Sequence, residues 1–280
     1  MSSLEKVLEI IKAVFYMPLY FSKIYQRSED LARSEKELDS FAIRLNEKEQ
    51  IASDILSFAT KIEQRFETQF LQFESLLAIY RALPNLKLLP PTRGWAGSPD
   101  FLAKITEVIL KEKPGFVFEV SSGVSTIIIG LALKLNNHGE VMSIDHESQY
   151  ARITEENVGL NEIKNVSTIQ HCPIVDYTSI EQGYKWYETK NLNLTKKINL
   201  LVIDGPPRTT QVLARYPAIP LLHKYFADKT FILLDDSNRN DEIIIVQKWI
   251  LFLESSNYKV LIHRFNNFEK GLVILEVYRL

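Results

Sequence analysis

The stretch Phe116-Val117-Phe118-Glu119-Val120-Ser121-Ser122-Gly123-Val124-Ser125-Thr126 decides how the chain is read. An apolar, β-prone run closes on an acid, passes through small residues and opens into a second apolar run. That order predicts a strand, a tight loop and a helix start. Backbone N–H groups freed at a helix N-terminus suit a nucleotide-like ligand. Glu119, at the strand end, is placed to accept hydrogen bonds from the loop or from a cationic ligand. The loop is not a dinucleotide fingerprint, because G-x-G-x-x-G needs glycines where this chain has Ser121 and Ser125.

Later strands end the same way. Val141-Met142-Ser143-Ile144-Asp145 closes on an acid, as do Leu200-Leu201-Val202-Ile203-Asp204-Gly205-Pro206-Pro207 and Leu234-Asp235-Asp236. With Glu119-x-x-x-Gly123-x-Ser125-Thr126, this set resembles the class I S-adenosylmethionine-dependent methyltransferases, in particular the bacterial and archaeal branch with E-x-G-S-G-x-S-T and V-D-G-P-P. The resemblance runs from about Pro91 to Leu280 and leaves the first eighty residues unexplained. It implies an α/β fold: a Rossmann-like, doubly wound, mostly parallel sheet with a C-terminal antiparallel hairpin. It also implies S-adenosylmethionine as cofactor and a small-molecule or saccharide hydroxyl as acceptor. Glu119, Ser121, Gly123, Ser125 and Thr126 would form the cofactor loop. Asp145 would take the ribose hydroxyls, Ile174 would lie by the adenine, and Asp204 would face the point of methyl transfer.

Between these motifs the pattern alternates. Strands are expected at 116–120, 140–145, 166–171, 198–204 and 230–236, and helices at 124–136, 148–160, 209–226 and 241–256. A crossover is expected at 176–194. Such β-α repetition predicts a parallel sheet flanked by helices. The end differs, because two β-rich runs, 259–265 and 272–279, are joined by a turn containing Asn and Gly. That is a hairpin signal, whereas a nicotinamide-binding domain would normally continue with another crossover helix.

Ligands of open α/β sheets bind outside the carboxyl ends of the strands, so the strand-end acids converge. Asp204, Asp235 and Asp236 resemble the acids that hold a divalent cation in catechol-type O-methyltransferases, although Asp236-Ser237-Asn238 replaces the Asp-Asn pair of that pattern. Hard oxygen ligands with open positions would suit Mg2+. Alternatively, Arg215 and Arg239 pair with these acids in a structural ion network. Asp204, Asp236 and Arg239 are the candidate catalytic residues. Arg208, Arg215 and Arg239 also suit an acidic or phosphorylated acceptor, since a guanidinium binds oxyanions bidentately. Tyr177, Tyr184, Trp186 and Tyr187 form either a lid over the acceptor or padding at the sheet edge. His171 and Cys172 read as packing residues at a strand end. Arg93-Gly94-Trp95-Ala96-Gly97 either covers the site or packs as a plain loop.

Upstream, 31–83 contains neither Gly nor Pro. Leu31, Leu38, Leu45, Ala52, Ala59, Phe66, Phe73 and Tyr80 share one heptad position. Ser34, Phe41, Lys48, Ile55, Ile62, Gln69, Leu76 and Leu83 share the other. Thirteen of these sixteen positions are apolar, which marks a coiled-coil-like arm, about 80 Å long if continuous. Either the arm makes a homo-oligomer through 31–83 or it folds back on its own domain. Ser98-Pro99-Asp100 reads as the cap and first turn of a helix through Lys111. The expected organisation is a helical region at 1–83, a linker or cover loop at 84–97, and a methyltransferase domain at 98–280.

The length, 280 residues, suits one large α/β domain with an appendage. A net charge of −2 argues against a general nucleic-acid footprint. A single cysteine, Cys172, excludes an internal disulfide framework and fits a reducing, cytoplasmic setting. The apolar residues of 7–21 are interrupted by Glu9, Lys12 and Pro18 and fall short of the ~20 residues a membrane span needs. That segment is read as packing against protein, with membrane association the less favoured alternative. Two rival readings complete the set: a degenerate methyltransferase-fold scaffold acting through its arm, and an NAD-dependent oxidoreductase.

Overall fold

The computed structural model describes residues 3–178, 183–190, 192 and 194–280. Most side chains of 7–21 lie outside the described ones, as does part of the expected crossover. The chain divides into two compact units, Met1–Arg65 and Phe66–Leu280.

The second unit is built on a seven-stranded sheet in the order β3-β2-β1-β6-β7-β9-β8 among the described residues. Its strands are β1 (Phe116–Val120), β2 (Glu140–Asp145), β3 (Ser167–His171), β6 (Ile198–Ile203), β7 (Phe226–Asp235), β8 (Tyr258–Phe265) and β9 (Leu272–Arg279). The first five run parallel, while β9 pairs antiparallel with both β7 and β8. Strand order reverses between β1 and β6, which is where such sheets open a ligand crevice.

Both faces are buried, so β1 is apolar at every position but Glu119 rather than alternating. One face carries α2 (Pro99–Glu112) and α3 (Val124–Asn136), with Ile105, Ile109, Ile127 and Leu131 in its core. The other carries α5 (Ala218–Leu222), α6 (Asn240–Ser255) and a separate hairpin of β4 (Ile174–Tyr177) and β5 (Tyr184–Tyr187). The remaining helix of this unit, α4 (Ser148–Leu160), follows β2.

The expected strand and helix alternation is present, with three differences. The crossover contains the β4–β5 hairpin, with Trp186 and Tyr187 buried in the core beside the sheet and Tyr184 packed against it. The helix expected at 209–226 is reduced to α5 and a 3-10 turn at His223–Tyr225. Its first half runs as turns around Arg215, while Pro217 and Pro220 lack the N–H a helix interior needs. Finally, β7 starts four residues earlier than expected, at Phe226, and stops at Asp235.

The long helix α1 spans Ser3–Ala82, so the Gly/Pro-free stretch is helical throughout. Its last turns are part of the sheet unit rather than of a separate arm ending at 83. Ile79 and Leu83 are buried in the core that holds α2 and α3. Buried Asp100 ties this corner together. Its Oδ2 accepts from Gln72 Nε2 at 2.7 Å and from the Glu269 backbone N–H at 2.8 Å. Its Oδ1 accepts from the Ser98 hydroxyl at 2.5 Å, so Ser98 flanks α2 without capping it through its side chain. The stretch 84–97 is fastened as well, since the Lys87 and Leu88 N–H groups donate to Asn161 Oδ1.

In the first unit, the described side chains of 25–65 are exposed on every side of the helix. Among the described residues, no helix is long and apolar enough to cross a membrane.

Candidate functional site

The loop after β1 is held from three directions. Glu119, fully buried, accepts hydrogen bonds from Thr126 Oγ1 at 2.5 Å and from the Ser143 hydroxyl on β2. Through Oε2 it pins the start of α3 to the neighbouring strand, while its buried Oε1 has no hydrogen-bond partner. Burial pushes its pKa up to about 7, against the pull of hydrogen bonds from Ser125, Ser143 and Thr126. Ser143 was not singled out from sequence, and an isolated hydroxyl inside an apolar strand is its one signal. Ser121 takes φ +80°, the left-handed region that favours glycine, at the place of the first glycine in the family pattern. Ser122 turns onto Asp145 and Thr154, and Gly123 is open. Gly123 precedes α3 in ordinary extended backbone, and a Cβ there would meet nothing within 4 Å. That open face is the cradle an S-adenosylmethionine would fill.

Asp145 closes β2 beside the loop, buried to 2% exposure. Its Oδ2 accepts from Ser122 N (2.9 Å) and Ser122 Oγ (3.0 Å), and Oδ1 accepts from Glu147 N (3.0 Å). Oδ1 retains lone-pair capacity for one more donor, whereas both positions on Oδ2 are taken by Ser122. His171 stands opposite Asp145 in the β2–β3 register, and Cys172 N–H donates to the Asp145 carbonyl at 2.7 Å. This brings Ile174, half-buried on β4, to the same edge. Burial, with the Glu188 and Asp145 carboxylates nearby, pushes the Cys172 thiol up to about 11 and leaves it a packing group.

Across the crevice, Asp204 follows β6, and its N–H donates to Val120 O at 3.1 Å. Asp204, Asp235 and Asp236 are brought together as expected, each offering an oxygen within 4.8 Å of the others. What compensates them is arginine. Arg215, 3% exposed, donates through Nη2 to the Asp204 carbonyl (2.6 Å), Asp204 Oδ1 (3.2 Å) and Asp236 Oδ2 (2.7 Å). Its Nη1 donates to the Asp235 carbonyl at 2.8 Å. Arg239 Nη2 lies 2.7 Å from Asp236 Oδ1, an ion pair out of hydrogen-bond alignment, and Lys270 Nζ lies 3.9 Å from Asp235 Oδ2. Glu242 adds a fourth acid, 3.8 Å from Arg215 Nη1. Neither Lys270 nor Glu242 stood out in the sequence, because nothing in their local patterns ties them to distant strand ends.

These residues fit magnesium poorly, since a divalent ion on the same oxygens would sit against a buried guanidinium. Burial, the largest effect, raises the Asp204 and Asp235 carboxyls above the ordinary range, and their mutual repulsion with Asp236 adds to it. Asp204 is the most accessible of the three, at 16% against 1% for Asp235 and 4% for Asp236. Arg208 is exposed, away from this network.

Two aromatic expectations resolve differently. Trp186 and Tyr187 are fully buried in the core, so they pad the sheet. Trp95 is 87% exposed on a loop braced on both sides. Arg93 forks onto Glu269 at 2.8–3.0 Å, and Lys270 donates to the carbonyls of Gly94 (3.0 Å) and Ala96 (2.9 Å). Because Lys270 also reaches Asp235, this loop stands next to the carboxylate cluster.

Comparison with known proteins agrees with the fold. A family model described as "Methyltransferase domain" matches residues 120–237, from the end of β1 to just past Asp236. Over that segment the chain is similar to this family, and the match takes in the loop after β1 and the ends of β2, β6 and β7. No curated protein matches the chain. Among solved structures, an O-methyltransferase of Streptomyces achromogenes involved in tomaymycin synthesis, in complex with S-adenosylmethionine, is 10% identical. The match covers 72% of this chain and 89% of that one, with a TM-score of 0.48. An O-methyltransferase of Bacillus cereus in complex with S-adenosylhomocysteine is 13% identical, covering 74% and 90% with a TM-score of 0.47. A methyltransferase of Podospora anserina bound to S-adenosylhomocysteine is 12% identical, covering 71% and 86% with a TM-score of 0.48.

Proposed function

We propose that the chain is an S-adenosylmethionine-dependent O-methyltransferase acting on a hydroxyl of a small molecule or saccharide. The observation that carries this is the open face over Gly123 beside Asp145, at the crevice where strand order reverses. Ser121, Gly123, Ser125 and Thr126 belong to the loop and helix start that hold the cofactor, and Glu119 keeps them in place. Asp145 takes the ribose hydroxyls, and Ile174 packs by the adenine. The bound cofactor supplies an electrophilic methyl group. The chain's own work is then alignment and desolvation of the acceptor oxygen. Asp204, the most accessible of the three acids and one with a raised pKa, is placed to take the hydroxyl proton. Asp236 and Arg239 hold Asp204's surroundings, and Trp95 offers a flat apolar face for a ring-bearing acceptor.

Calorimetry with S-adenosylmethionine, S-adenosylhomocysteine and NAD separates the readings. The proposal expects the first two to bind and NAD not to. It also expects Gly123→Val to keep the fold, since a Cβ there meets no protein atom within 4 Å, while abolishing binding. NAD binding alone would return the oxidoreductase, and silence from all three the scaffold. Magnesium belongs to the same experiment. With Arg215 as the compensating cation, neither Mg2+ nor a chelator shifts the melting temperature, whereas a bound ion would raise it by mass action.

A further inference from the structure

Two buried polar atoms of the β4–β5 hairpin lack a hydrogen-bond partner, Trp186 Nε1 and the Tyr187 hydroxyl, and the second of them lies at the crevice. Tyr187 is fully buried, yet its hydroxyl has no hydrogen-bond partner. Such a group carries its desolvation cost uncompensated, and a phenylalanine would fill the same space without it. Its position is specific. A side chain at Gly205 would collide with the Tyr187 hydroxyl and with Ser121, so the phenol tip lies between the loops that leave β1 and β6. The Ser121 hydroxyl is beside it but out of hydrogen-bond alignment. The ring meets the His146 ring edge-on at 5.7 Å, immediately after Asp145 at the end of β2. On the hairpin, Tyr187 pairs directly with Ile174, so the two side chains share a face. Tyr187 therefore reaches from the strand end with the ribose-reading acid to the crevice between β1 and β6. Burial and the Asp145 and Asp204 carboxylates raise its pKa, so it stays a neutral phenol with a proton to donate.

We infer that the Tyr187 hydroxyl is a contact for bound S-adenosylmethionine, the ligand completing the hydrogen bond that the chain leaves open. The inference rests on the cofactor reading above. Its test is calorimetry of the full chain with S-adenosylmethionine and S-adenosylhomocysteine, alongside thermal unfolding, for the parent, Tyr187→Phe and Tyr177→Phe. Tyr177 lies on the same hairpin, but its hydroxyl is fully engaged with the Tyr187 carbonyl and with Thr189. The expected result is that Tyr187→Phe melts no lower than the parent and binds both ligands about tenfold more weakly. Tyr177→Phe should show the opposite pattern, with a lower melting temperature and unchanged affinity. Equal affinity in Tyr187→Phe and the parent would overturn the inference, as would an equal loss in both variants, which would make the effect one of hairpin packing. If the parent binds neither ligand, the cofactor reading itself fails, a result distinct from either of these.

Discussion

Glu119 shows at the residue scale how a motif acid is tied into its own chain. Its carboxyl is enclosed and met by hydroxyls from α3 and β2, with a pKa of about 7 against an ordinary 4.5. A carboxyl whose folded pKa is raised binds more protons in the folded state than in the unfolded one. Its contribution is therefore complete below about pH 4.5 and is lost as pH rises towards 7, the reverse of a salt-bridged acid. The loss across that window is on the order of 3 kcal/mol. Glu119→Gln keeps the shape and can still accept from Thr126 and Ser143 without ever ionising. Melting curves from pH 5 to pH 8 should thus show the variant gaining on the parent as pH rises. Curves that stay parallel would mean that Glu119 is ionised throughout at no cost. Seen from sequence, the acid was legible as a strand end but its role was not, because Ser143 lies on another strand. The same limit applies to the carboxylate cluster. That Asp204, Asp235 and Asp236 meet follows from adjacent strand ends, whereas the choice between a metal and Arg215 depends on how a turn folds eleven residues after Asp204.

At the scale of elements, the parts read most directly were those whose own residues settle them. β1, α3, β2 and α4 begin and end where apolar runs meet small or polar breaks. The region from 209 to 226 was not legible in this way, because Arg215 is drawn inward by acids from three other segments and the chain follows it. The end of α1 is a third case, since its heptad stripe and its buried stripe differ. Gln72, Ser75, Ile79 and Leu83 face the sheet unit, while Phe66, Phe70, Phe73, Leu77 and Tyr80 are half or more exposed. Two of the inward residues are polar, so apolar periodicity alone could not find that face. Cutting the chain at residue 90 would remove Ile79 and Leu83 from the core, each worth about 1.5–3 kcal/mol, and would free buried Asp100 of its Gln72 partner. A chain starting at residue 66 keeps all of these. Thermal unfolding should therefore give the 66-start chain a melting temperature near the parent's and the 90-start chain a markedly lower one. Equal melting temperatures for the two truncations would show that the last turns of α1 contribute nothing to the fold.

On the scale of the whole molecule, the two units pose different physical problems. The sheet unit has a core on both faces and accounts for its own stability. Among its described residues the unit before residue 66 has no such core, and Leu31, Leu38, Phe41, Leu45, Ile55 and Ile62 are each more than two-fifths exposed. Lone helices depend on packing of an apolar face for most of their stability, so this stretch calls for a partner. The exposed stripe from Phe66 to Tyr80 makes a similar demand within the sheet unit. At roughly 100 Å2 of exposed apolar surface for each large side chain, the six residues of the first unit present about 600 Å2 and the five of the second about 500 Å2. A stable interface buries about 800 Å2 on each side, which sets the scale against which pairing with a second copy of this chain is tested. Light scattering on the full chain should then report more than one subunit, and the 66-start chain should form a smaller assembly that still binds S-adenosylhomocysteine. Replacing Phe41 and Ile55 together by Glu should do the same without shortening the chain, because charges at seam positions oppose pairing while leaving the cofactor loop untouched. If the subunit number is the same in all three chains, the heptad stripe is not the pairing surface.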